Sequence, residues 1–129
     1  SKTRAYFLLV ALFILVTMLS SILDHARTNF ANPWLWLPTL VGAFATFATF
    51  WMGTLDRLDR SDLLTFLSAM GMMIAVGLTG AVLHVLHDLS GQGTLVMERF
   101  VFGAPLMAPL LFANMGLLGL LVLLEARPE

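Results

Sequence analysis

The sequence predicts an all-α fold: an integral membrane four-helix bundle whose transmembrane spans run up-down-up-down. Three observations predict it. Only 12% of the residues are charged, about half the roughly 25% of an average soluble protein. Hydrophobic residues make up 59% of the chain and mean hydropathy is +0.90. They gather in long runs with the charges pushed between them, instead of alternating around helix faces. The connections between runs are also short, which makes consecutive helices antiparallel neighbours.

The 129 residues read as a single transmembrane domain, 1–129, with spans at roughly 5–23, 35–55, 63–84 and 101–124. At about 1.5 Å rise per residue each run crosses the ~30 Å hydrocarbon layer. Only a helix satisfies its own backbone hydrogen bonds there. Span 1 is uncharged from Ala5 to Leu23. Lys2 and Arg4 ahead of it are the flank of a signal sequence, but three more apolar runs follow, so it is read as a retained span. Span 2 starts behind Pro33, a residue suited to a helix start, with Trp34 and Trp36 suited to a membrane interface. Along it Thr39, Gly42, Thr46, Thr49 and Gly53 recur at three and four, a narrow small and polar face expected to pack on another helix.

Span 3 follows the sign-alternating loop Asp56–Asp62, expected to be a solvated hairpin with local ion pairs. Ser61 and Asp62 are natural N-cap residues for it. In span 4, Pro105 and Pro109 lie four apart and predict a kink toward its Phe100 end. Asn114 is the one amide in the middle of that span, expected to hydrogen-bond across the bundle.

Cysteine is absent, which excludes disulfides, thiolate metal sites, iron–sulfur clusters and thiol redox chemistry. A net charge of −1 offers no electrostatic basis for binding nucleic acid. Lys2, Arg4, Arg57, Arg60 and Arg127 fall on one side of the predicted topology, against Arg27 and Arg99 on the other. By the positive-inside rule both termini face the cytoplasm, in an inner (cytoplasmic) membrane.

The three histidines all fall on the opposite, outer side. His25 closes span 1, while His84 and His87 close span 3. Asp24, Asp88 and Glu98 share that side, so metal-competent and proton-competent side chains converge there. His84 and His87 are three residues apart and share a helix face. That face continues inward as Gly80 and Gly77, leaving room for a flat ring. His25 facing His84 would complete a bis-imidazole site for b-type haem. Alternatively, His25, His84 and His87 with Asp24, Asp88 or Glu98 would suit a zinc or copper ion. The competing explanation of the glycines is that small residues line membrane helix interfaces in any case.

No Asp, Glu, Lys or Arg occupies the middle of a span, which argues against a proton-coupled transporter. Nothing in the spacing of Ser20, Ser21 and the histidines demands a hydrolase. The sequence therefore points to a small inner-membrane protein in membrane redox or metal handling, not an enzyme on its own. Its expected partners are the lipid bilayer and other membrane subunits or copies of itself in a homo-oligomer. The alternatives are a cofactor-free accessory or assembly subunit of a larger complex, and a quinone or small-lipophile binder using space near Pro105 and Asn114.

Overall fold

The structure is a computed structural model that describes residues 2–26, 33–90 and 107–125. The described residues form helices, with a short turn at 55–59 and no strand among them. Helix α1 spans Lys2–Ala26, a 3-10 turn at Pro33–Leu35 runs directly into α2 (Trp36–Thr54), and α3 (Arg60–Ser90) and α4 (Met107–Glu125) follow. The first three expected runs each coincide with a helix, and α3 continues past residue 84 to carry His87. The start of the fourth run, with the kink expected at Pro105, lies outside the described residues.

Two stretches, Thr3–Leu23 and Arg60–His87, are long and apolar enough to cross a membrane. The 19 residues of α2 are diluted by their threonines and glycines, and the apolar part of α4 is the shorter run Pro109–Glu125. Only 28% and 33% of the two longer stretches are buried inside the protein. A soluble core helix of that apolarity would bury most of itself.

The helices close a ring: α1 packs on α2 and α4, and α3 packs on α2 and α4. Phe7 and Ile14 of α1, Ala45 and Met52 of α2, Phe66 and Met70 of α3, and Phe112 of α4 form its core. The rings of Phe7 and Phe66 meet edge to face, with centroids 5.4 Å apart at 83°, the arrangement favoured by aromatic quadrupoles. The outside is apolar too: Leu12, Val16, Phe47, Leu78 and Leu117 are all exposed.

The small and polar face of α2 is its contact with α1. A Cβ on Gly42 would stand 2.9 Å from Met18 Cγ, and one on Gly53 would stand 2.7 Å from Leu8 Cδ2. Both glycines thus let α1 approach closely. Thr46 donates its hydroxyl to the Gly42 carbonyl at 2.7 Å, as expected for a threonine turned back on its own helix. The Thr39 and Thr49 hydroxyls are buried with no hydrogen-bond partner among the described residues.

The turn between α2 and α3 departs from expectation in two ways. The N-cap is Asp59, not Ser61 or Asp62: its carboxylate accepts from the Asp62 amide at 2.9 Å, and the Asp62 carboxylate accepts from the Asp59 amide at 3.2 Å. This reciprocal pair is a capping box, flanked by Leu58 and Leu63, which pack on the core in the positions of a hydrophobic staple. The carboxylates are also drawn away from the loop's own arginines. Asp56 accepts instead from Arg4 at 2.8 Å, and the same guanidinium donates to the Gly53 and Thr54 carbonyls at the end of α2. A cation there neutralises the negative end of the helix dipole. Asp62 further accepts from the Trp51 indole at 3.2 Å.

A histidine-rimmed cavity as the candidate site

The end of α1, the turn ahead of α2, the last turns of α3 and the start of α4 surround a cavity of about 750 Å³. The histidines of the rim sit where the apolar runs of α1 and α3 stop. Ser21 and His25 come from α1, His84 and His87 from α3. His25 and His84 are half-buried, and His87 is exposed. The remaining wall is apolar: Trp34, Leu37 and Pro38 from the start of α2, Val76 and Leu83 from α3, Pro109 and Phe112 from α4.

All of His25, His84, His87, Gly77 and Gly80 line this one cavity. The structure separates the two glycines, however. A Cβ on Gly77 would lie 2.5 Å from the Ala113 nitrogen and 2.7 Å from the Pro109 carbonyl oxygen, so that position is filled by the backbone of α4. Among the described residues a Cβ on Gly80 would meet only Pro109 Cβ, at 3.2 Å. Gly77 therefore permits helix approach, while Gly80 keeps space beneath His84.

The side chains of Asp24 and Asp88, and the whole of Glu98, lie outside the described residues. Among the described residues no group of three or more His, Asp or Glu side chains is placed to hold a metal ion. Among the described residues Asn114 has no hydrogen-bond partner across the bundle and does not line the cavity; it is exposed on the outer face of α4. The reason is helical phase. Phe112, Ala113, Met115 and Gly116 turn inward and are buried, which leaves Asn114 pointing out.

Sequence reasoning did not single out the apolar wall, Trp34, Pro109 and Phe112 included. Trp34 reads as an interface anchor, Pro109 as a source of kinking, and Phe112 as one apolar residue among many. Only the relative rotation of the helices brings them to one place. No known protein family matches the sequence, and no characterised protein or solved structure matches it either.

Proposed function

We propose that the chain is a four-helix protein of the inner membrane, arranged up-down-up-down with both termini cytoplasmic. It holds a ring-bearing lipophilic redox molecule in the histidine-rimmed cavity. The observation that carries this reading is the gathering of three imidazoles at the edge of one apolar cavity of about 750 Å³. That volume falls within the ~300–1,000 Å³ of small-molecule sites, which are typically apolar with a few placed polar groups. Membrane residence is supported by the exposed apolar exterior and by exposed tryptophans toward both ends of α2, Trp36 and Trp51, as in interfacial belts.

The donor set favours b-type haem over a bare zinc or copper ion. Zinc sites use three or four protein ligands, and among the described residues no three His, Asp or Glu side chains are placed to share an ion, whereas haem ligation would ask only for two imidazoles, His25 and His84, beside a hydrophobic wall. Bound haem would supply one-electron chemistry. The protein's own part is to wall the occupant with Trp34, Pro38 and Phe112, to leave room at Gly80, and to present imidazole nitrogens at the rim. A quinone is the second reading, favoured by the same apolar wall, since an imidazole N–H donates to a ring carbonyl without any metal geometry.

An absorption spectrum and iron analysis of the detergent-purified protein test the proposal, with mass spectrometry of its organic extract. A haem band should vanish in His25→Ala and His84→Ala and persist in His87→Ala. A folded wild-type protein that carries neither haem nor quinone, and takes up neither when supplied, would leave the cofactor-free accessory subunit as the better account.

A further inference from the structure

On the outer face of α4, Leu110, Asn114, Leu117, Leu121 and Leu124 follow one another at spacings of four, three, four and three. All five are exposed. The residues between them carry the internal packing, with Phe112, Ala113, Met115, Gly116, Gly119 and Val122 buried. The outward face has the heptad period of a coiled coil, a spacing shared by the exposed faces of α1 (Leu9, Leu12, Val16, Leu19, Leu23) and α2 (Leu37, Leu40, Phe44, Phe47, Trp51); what sets α4 apart among the described residues is the amide of Asn114. Leucine occupies the d positions, and the a positions hold Asn114 and Leu121. A single asparagine at an a position sets register and partner number in such pairs.

The geometry points to a parallel homodimer in which α4 of one copy packs along α4 of a second, with Asn114 bonded to Asn114. Two features select a second copy over another occupant. The carboxamide carries both donor and acceptor, so across a two-fold axis it is its own complement. Copies inserted in one orientation in the same membrane also meet in parallel, which puts identical residues at identical depth and Asn opposite Asn. Asn114 lies roughly midway along the expected span 101–124. Facing hydrocarbon alone, its amide would have no partner, and polar side chains in that position are satisfied across helix pairs. The inference rests on the membrane reading of α4 but not on the identity of anything in the cavity.

The absence of native cysteine makes the test clean. Leu117→Cys and Leu121→Cys chains, oxidised in native membranes, should give disulfide-linked dimers. Leu78→Cys, exposed on α3, should not. Sedimentation equilibrium of the full chain in density-matched detergent should show a monomer–dimer equilibrium. Asn114→Leu should weaken it about three- to thirtyfold, while Asn114→Gln, which keeps the amide, should retain much of it. A helical, membrane-retained protein that stays monomeric at every protein-to-detergent ratio would overturn the dimer and leave the membrane reading standing. So would equal cross-linking at Leu78→Cys, or cross-linking of Leu117→Cys to a different subunit. Release of the chain from membranes by alkaline washing would overturn both.

Discussion

Gly71 and Gly77 lie on the same helix, six residues apart, with opposite surroundings. Among the described residues nothing stands within 4 Å of a Cβ built on Gly71, whereas a Cβ on Gly77 would collide with the backbone of α4 at Ala113 and Pro109. Alanine is the better helix former by up to ~1 kcal/mol, so Gly71→Ala should leave thermal stability in detergent unchanged or raise it. Gly77→Ala should lower it by about 1–3 kcal/mol, because backbone gives way less readily than the end of a side chain. Equal melting temperatures for the two variants would show that α3 and α4 do not approach at Gly77. At this scale the sequence was legible in kind but not in detail. The glycine stripe below His84 announces close contact or open space, yet which glycine does which depends on helix rotation. Asn114 shows the same limit, since α4 is so uniformly rich in leucine that its inward and outward faces look alike until the buried positions are known.

Individual elements are held by their ends as much as by their faces. The Asp59–Asp62 box closes the start of α3, and its staple partners Leu58 and Leu63 pack on the core. Asp59→Ala should therefore destabilise the protein by about 0.5–2 kcal/mol. Asp56→Asn should change it by less than ~1 kcal/mol, because the Arg4–Asp56 pair is solvent-exposed, at 43% and 89% side-chain exposure. Thermal unfolding of the two variants side by side checks the ranking, and a larger loss from Asp56→Asn would contradict it. The apolar runs revealed the helices to within a few residues at most ends. The cap was harder to read because five of the seven residues from Asp56 to Asp62 are charged, so several positions offered a carboxylate, and a box closed by Asp instead of Glu or Gln is a weaker signature.

For the whole molecule, the distribution of basic residues sets the proposed orientation, in which the cavity would open toward the outer face. Single cysteines introduced at Ser1 and Gln92 should separate under an impermeant maleimide in intact cells, with Gln92→Cys labelled and Ser1→Cys protected. Labelling of the N-terminal site alone would invert the topology and bring the cavity to the cytoplasmic side. That His25, His84 and His87 meet at one end was legible from their positions at the ends of apolar runs. That Trp34 and Phe112 meet them was not, because both arrive through the way the ring of four helices closes. Trp34 gives that wall an optical property as well. It borders the cavity, while Trp51 lies near the far end of α2, roughly 22 Å away from Trp36 at 1.5 Å per residue. An absorbing occupant of the cavity would drain the fluorescence of Trp34 by energy transfer more strongly than that of Trp51, so the protein carries both a proximity gauge and its own distant reference.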